Sequence, residues 1–401
     1  MGGFDNVHQP SHHPQIQLPG RRRRRHRRIA ALAIGGTAKI KVGVMLPFTG
    51  TYAALGEQGI NGLKLALAGQ GNKLGGREVE IVTLDDESDP SRAPANATKL
   101  IKGDNVDLLY GTVHSGVVMG MVKVARETET LLVIPNAGAA AATGAMCAPN
   151  IFRTSFSNWQ PAFPMGKVAY DKGYRTAVTM TWKYGAGTES VDAFKEAFEA
   201  AGGKVVKEIL VPFPDVEFQA NLADIANTKA DVVYVFFAGG GAVKFVKDYA
   251  SAGLRKTIPL VGAGFLTEGT LAAQGEAAEG LLTTLHYADG LDLPANRKFR
   301  AEYKKAYGKE ADLYGVQAYD AGMLLVTGFG AVKGDTAAKA DLYSAMGRTV
   351  LDSPRGAISF SAAHNPVQDI YLREVRKGEN VVVGIAGKAV TDPARGCKMG
   401  A

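Results

Sequence analysis

The chain has 401 residues, 46% of them hydrophobic, with 46 Lys and Arg against 39 Asp and Glu. That length exceeds one ordinary core and fits two domains of roughly 100–200 residues each. Residues 1–38 hold seven arginines, Arg21 to Arg25, Arg27 and Arg28, and one acid, Asp5; their +6 leaves about +1 of the total +7 for the body, which excludes a basic, nucleic-acid-binding body.

The first feature in chain order is "RRRRRHRRIAALAIGGTA", a basic block followed by an apolar stretch from Ile29 to Ala38. The pattern is that of an export signal. Gly36 and Ala38 supply the small residues a signal peptidase needs, and an apolar run of about ten residues is too short to span a bilayer. Cleavage is expected near Lys39, giving a periplasmic protein. The alternative is a disordered or nucleic-acid-binding arm, against which stands the lack of interleaved aromatics. Residues 1–20, with His8, His12 and His13, fit neither reading; a wrongly chosen start or a cloning remnant ranks ahead of a metal site. No later stretch approaches transmembrane length.

From Lys39 strand-like runs alternate with helix-like ones: "IKVGVMLP", "GEQGINGLKLALAG", "REVEIVTLDD", "RAPANATKLIKG", "VDLLYG". This alternation predicts a parallel sheet with crossover helices. It restarts near Arg153 with "YRTAVTMTW", "SVDAFKEAFEAAGG", "KVVKEILVPF", "FQANLADIANTKA", "DVVYVFFAGG", "AVKFVKDYASAG" and "TIPLVGAG", so two similar doubly wound lobes are expected. Long helical stretches, "NRKFRAEYKKAYG" and "LYGVQAYDAGMLLVTGFGAV", follow, and the hairpin-like "QDIYLREVRKGENVVVG" closes the chain.

Ligands of such sheets bind beyond the carboxyl ends of strands. The junctions to inspect are therefore "LPFTGTYAALG", "YGTVHSG", "IPNAGAA", "TWKYGAG", "FFAGGGA" and "VGAGFLTEG". The last has Gly262 and Gly264 after an apolar run, but a dinucleotide loop needs a third glycine where Thr267 stands, and it would follow the first strand. The phosphate reading fails. Cys147 and Cys397 are the only cysteines, and in an exported chain they are expected to form a disulfide; the alternative is two free thiols. No Cys/His cluster has zinc-ligand spacing, and neither a metal nor a cofactor is expected.

The opening "KVGVMLPFTGTYAALGEQGINGLKLAL", with "DDESDP", "VPFPDVEFQANL" and "GEAAEGLLTTLHYAD", resembles the periplasmic branched-chain amino-acid-type binding proteins of ABC transporters. "FRTSFSNWQPAFPMGK" and "TWKYGAG" resemble the branch that binds aromatic carboxylates. The likeness runs from Lys39 to the C-terminus. It implies an α/β, type I periplasmic binding protein fold: two lobes, residues 39–155 with 288–355 and residues 156–287 with 356–401, joined by three crossings and closing over a ligand. It also implies a monomer that works with a permease and an ATPase, and no nucleic-acid partner.

The same resemblance implies the site. Ser115 offers a hydroxyl to a ligand carboxylate, and the backbone N–H groups of Asn136, Ala137, Gly138 and Ala139 meet the same oxygens, where small residues allow close approach. For these the bland reading is a helix cap and a turn. In the second lobe Tyr184 matches an aromatic lid, with Trp182 beside it and Phe156 and Trp159 after the first crossing; as isolated aromatics these would be core. Tyr52, His114 and Gln317 complete the expected ligand set. Phe265 stands where amino-acid-binding relatives carry a carboxylate for the ligand's ammonium group, so the ligand is expected to lack one. Glu268, three residues on, is the alternative carboxylate.

Three function classes follow: an exported solute-binding protein for a small carboxylate, a soluble enzyme on the same lobes, and a ligand-sensing domain. No G-x-S-x-G elbow or nucleophile–base pair supports the enzyme, and His114 and His286 read as polar pocket residues. No helix-turn-helix segment supports a regulator. Within the first class, an aromatic acid of benzoate or hydroxycinnamate type is expected, with a branched-chain amino acid as the alternative.

Overall fold

The computed structural model describes residues 1–3 and 38–399. The Arg block and the apolar run of the expected export signal lie outside the described residues. Strand β1 (Ile40–Leu46) is buried at six of its seven positions, as a strand covered on both faces must be. It lies in a six-stranded sheet with β2 (Lys73–Leu74), β3 (Arg77–Asp85), β4 (Leu108–Gly111), β5 (Leu131–Ile134) and β6 (Ile151–Arg153), in the order β2-β3-β1-β4-β5-β6. All pairs are parallel except the β2–β3 hairpin. The helices Ala53–Ala68 and Leu313–Ala331 fill one face with Leu63, Leu67, Leu324 and Leu325, and the helix Ser115–Glu127 fills the other with Val118, Met121 and Val122.

The second sheet contains β7 (Thr176–Trp182), β8 (Lys204–Val211), β9 (Val232–Phe236), β10 (Leu260–Ala263), β11 (Leu282–Leu285), β12 (Leu351–Ser353), β13 (Gly356–Phe360), β14 (Pro366–Arg376) and β15 (Glu379–Val390). Its order is β12-β13-β14-β11-β10-β9-β7-β8, with β15 on β14. From β8 to β11 the pairing is parallel, and the late strands add an antiparallel extension. β12, which the sequence reading groups with the first lobe, pairs with β13 and so continues the second sheet. A register slip between strands with one buried face would expose their apolar side chains, so these pairings are well specified.

The chain leaves the first sheet after β6, returns after β11 for the helices Pro294–Tyr307, Leu313–Ala331 and Lys339–Gly347, and rejoins the second sheet at β12. These three passages form the expected hinge. Arg355, in the turn after β12, is buried and pairs with Asp320 at 2.9 Å while donating to the carbonyls of Thr154 and Ser155, in the first passage, at 2.6 and 3.3 Å. An ion pair with satisfied neighbours fixes which strands lie side by side more than it adds stability. Cys147 and Cys397 form the expected disulfide, with Cα atoms 5.5 Å apart. Among the described residues no helix is long and apolar enough to cross a membrane.

Candidate functional site

A narrow, partly open cavity lies where the carboxyl ends of the two sheets face each other. Its free volume is about 20 Å3, far below the roughly 300–1,000 Å3 of ligand sites, so the lining side chains must part to admit an aromatic ring. Tyr52 and Leu55 reach it from the turn and helix after β1, Val113 and Ser115 from the loop after β4, and Asn136 and Gly138 from the loop after β5. Phe156 and Asn158 come from the first passage, Tyr184 and Ala186 from the end of β7, Phe236 and Ala238 from β9, Phe265 from β10 and Tyr314 from the first turn of its helix. None of these residues carries a formal charge.

One end of the cavity is polar. Ser115 begins a helix whose cap is His114: the ring Nδ1 accepts the Gly116 N–H at 3.0 Å. Burial pushes the His114 pKa down to about 4, so at neutral pH the ring is uncharged and free to accept. The Ser115 Oγ accepts a hydrogen bond from Asn158 Nδ2 at 3.3 Å, and its own proton remains to be donated. In the loop after β5 the Ala137 N–H donates to the Thr112 carbonyl at 2.9 Å and the Ala140 N–H to Glu189 at 2.9 Å. Between them, no described residue accepts from the N–H of Gly138 or Ala139. A Cβ on Gly138 would lie 2.2 Å from Asn158 Oδ1 and 2.5 Å from the Phe156 ring, so only glycine fits there.

The rest of the cavity is aromatic. Phe156 and Phe265 pack with ring centres 4.6 Å apart, and Phe236 lies 5.8 Å from Phe265. Tyr52 and Tyr184 approach from opposite sheets until their hydroxyls meet at 2.8 Å. Burial raises both phenol pKa values far above the usual value, so both stay neutral. Phe213 backs this pair, 4.9 Å from Tyr184 and 5.1 Å from His114.

The sequence pattern of one family, described as periplasmic binding protein, matches residues 39–380. The chain belongs to that family. It is 35% identical over 348 residues to a Leu/Ile/Val-binding protein homolog 6 of Brucella melitensis, covering 85% of this chain and 88% of the relative. A solute-binding protein of an ABC transporter from R. palustris, solved in complex with benzoate, is 52% identical and superimposes with a TM-score of 0.88 over 90% of this chain and 100% of that one. Another, from Rhodopseudomonas palustris BisB5 with 3,4-dihydroxy benzoic acid, is 31% identical with a TM-score of 0.84, covering 88% and 99%.

In this periplasmic binding protein, seven of the expected residues, Tyr52, Ser115, Asn136, Gly138, Phe156, Tyr184 and Phe265, line one cavity. Others stand behind it. Gln317 is fully buried and bridges Asn136 Nδ2, at 2.6 Å, to His286 Nε2, at 2.7 Å. Burial, together with Arg355 and Arg373, holds the His286 pKa well down, so the ring is neutral and its Nε2 accepts from the Gln317 amide. His114 caps its helix and braces Tyr184 from 5.0 Å. Ala137 is a correction, because its N–H is already taken by Thr112. Ala139 is buried beside the lining and keeps its N–H unpaired among the described residues.

The two tryptophans are also corrections. Trp182 is completely buried in the core of the second sheet, its Nε1 donating to the Asp215 carbonyl at 2.7 Å and its ring pressed on Gly241, where a Cβ would come within 2.1 Å. As the last residue of β7 it shares the core face of Val178 and Met180, while the cavity lies beyond the strand end. Trp159 stacks on Phe163 at 4.3 Å and donates to Glu196 at 3.2 Å, outside the lining. Glu268 is no substitute for a ligand carboxylate partner: it pairs with Arg373 at 2.7 Å and accepts the Leu313 N–H at 3.0 Å, both away from the cavity lining. Sequence reasoning missed Tyr314, Phe236, Ala238 and Asn158 as lining residues. Phe236 and Ala238 had a signal, since "FFAGGGA" is one of the strand-end junctions. Tyr314 had none, because it approaches from a helix more than two hundred residues after Tyr52.

Proposed function

We propose that this binding protein takes an aromatic monocarboxylate of benzoate or hydroxycinnamate type in the cavity between its lobes and delivers it to an ABC transporter permease. One observation carries the reading: the lining is aromatic, holds no charged side chain, and brings the Ser115 hydroxyl beside the N–H of Gly138, which is unpaired among the described residues. Such donors satisfy a carboxylate, each charge-assisted bond contributing about 1.5–3 kcal/mol. An α-ammonium group would find no carboxylate there, and burying it unpaired costs several kcal/mol. The benzoate and dihydroxybenzoate bound by the similar solute-binding proteins support the same assignment.

Ser115 and the N–H groups of Gly138 and Ala139 would hold the carboxylate, with Tyr52, Tyr184, Phe236 and Phe265 around the ring. The two lobes, 39–155 with 288–355 and 156–287 with 356–401, close on it with β12 attached to the second. The chain acts without catalysing a reaction, as a monomer exported by residues 1–38, and serves a permease coupled to an ATPase. The Leu/Ile/Val-binding name of the Brucella relative favours a second reading, a branched-chain amino acid. Calorimetric titration with benzoate, 4-hydroxybenzoate, coumarate and leucine separates the two. Micromolar or tighter binding of an aromatic acid is expected; leucine binding with silence from every aromatic acid would replace this reading with the second.

A further inference from the structure

Among the described residues three arginines are buried, and two of them have carboxylate partners: Arg355 with Asp320 and Arg373 with Glu268. The third, Arg153 at the end of β6, has none. Its Nε donates to Asn365 Oδ1 at 2.6 Å, its Nη1 to the carbonyls of Ala139 at 2.7 Å and Ala137 at 3.4 Å, and its Nη2 to Thr143 Oγ1. Every acceptor is neutral. Asp392 and Glu189 act on it only through space, without ion-pair contact. A guanidinium buried this way keeps its hydrogen bonds but has no carboxylate in contact, so its charge is offset only at longer range.

The carbonyls it holds belong to the loop that carries the free N–H groups. In a trans peptide the C=O of one residue and the N–H of the next point in opposite directions. The Ala139 carbonyl faces Arg153, and the Ala140 N–H accordingly points away, to Glu189. The Asn136 carbonyl accepts from Ser155 Oγ at 2.8 Å while the Ala137 N–H points to Thr112. By the same rule the Ala137 carbonyl, turned toward Arg153, sends the Gly138 N–H the other way, and Gly138 lines the cavity.

We propose that Arg153 is the positioning residue of the anion site: it sets the peptide planes that aim Gly138 N–H at the ligand, and its buried positive charge, held by neutral acceptors, adds to the attraction for the ligand's carboxylate. The inference rests on the proposed carboxylate ligand. It places a cation one peptide layer behind the site, where it selects for negative charge without touching the ligand.

Calorimetric titration of benzoate against wild type, Arg153→Lys, Arg153→Gln and Asn365→Asp tests it, with thermal melts as the check on folding. Arg153→Lys keeps the charge and loses the fork, so it should bind more weakly than wild type and more tightly than Arg153→Gln, whose loss should be about a hundredfold. Asn365→Asp puts a carboxylate on the arginine's Nε and gives it a counter-charge inside the protein. It should weaken benzoate about tenfold while melting cooperatively, a result that a purely structural arginine would not produce. Equal affinity of Asn365→Asp and wild type overturns the proposal. If Asn365→Asp does not fold, equal losses in Arg153→Lys and Arg153→Gln overturn it instead. Failure of wild type to bind any aromatic acid would strike the ligand assignment alone, and the same variants would then be titrated with leucine, whose carboxylate makes the same demand on Arg153.

Discussion

The hydroxyls of Tyr52 and Tyr184 meet at 2.8 Å although the two residues follow strands of different sheets. The bond exists only while the lobes are closed, so it contributes to closure and not to the fold of either lobe. Both rings sit in the cavity lining, so the contact that joins the lobes also forms part of the wall of the site.

Tyr184→Phe removes that bond and leaves the ring in place. A net loss of about 1 kcal/mol is expected, which weakens an aromatic acid by about fivefold. Thermal stability of the ligand-free protein should change little. Unchanged affinity in calorimetry, with unchanged heat of binding, would show that closure does not depend on this contact.

Much of the fold was legible because strands and helices carry different periodicities, and a strand-rich run such as "DVVYVFFAGG" has no helical reading that buries its residues equally well. The strand-end rule picked out the junctions, and the family resemblance singled out Ser115, Gly138, Tyr184 and Phe265 within them, which lie in one cavity. That reading failed for Trp182, which still belongs to β7 and packs into the core against Gly241, whereas Tyr184 lies beyond the strand end. A cluster of aromatics shows that a surface is apolar, not where the core stops and the cavity begins. Arg153 was obscured for a different reason: its partner Asn365 is about two hundred residues away, and no local pattern encodes a contact at that separation.

Acid should destabilise the protein partly through His114. Burial lowers its pKa from 6.5 to about 4, so the unfolded chain takes up a proton that the folded one refuses. The stabilising contribution is fully present above pH 6.5 and is lost as pH falls toward 4, by up to about 1.4 kcal/mol per pH unit. His114→Asn keeps an acceptor for the Gly116 N–H and removes the titration. Urea unfolding at pH 7, 6 and 5 should therefore give the variant a shallower decline than wild type. Parallel declines would mean that the imidazole is protonated in the folded protein.

The disulfide closes 250 residues, tying the tail to the segment before β6. That tail also supplies Asp392, which accepts from Ser157 Oγ, and the Val390 carbonyl, which accepts from Gln160 at 2.8 Å in the first passage between sheets. Cys147→Ser with Cys397→Ser is expected to cost roughly 2–5 kcal/mol of stability. Proteolysis should then cut the tail first. A double variant that melts with wild type and resists protease equally would show that the side-chain contacts alone hold the tail.

Phe265→Glu tests the ligand chemistry most directly. Phe265 is 2% exposed, packs on Phe156 at 4.6 Å, and belongs to a lining without a charged residue. The nearest acid on its loop, Glu268, is already paired with Arg373, so no free cation waits to receive a second carboxylate. The new side chain must either stay charged in an apolar wall or take up a proton, and in both cases it repels or displaces an aromatic anion. Benzoate should weaken by about a hundredfold, since several kcal/mol of desolvation and like-charge repulsion oppose it. Leucine gains what it lacks in wild type, a carboxylate for its ammonium group, and should become measurable by calorimetry. Benzoate affinity equal to wild type would mean that the ligand lies elsewhere in the cleft, and leucine binding already tight before the substitution would mean that the ammonium group is met by another residue.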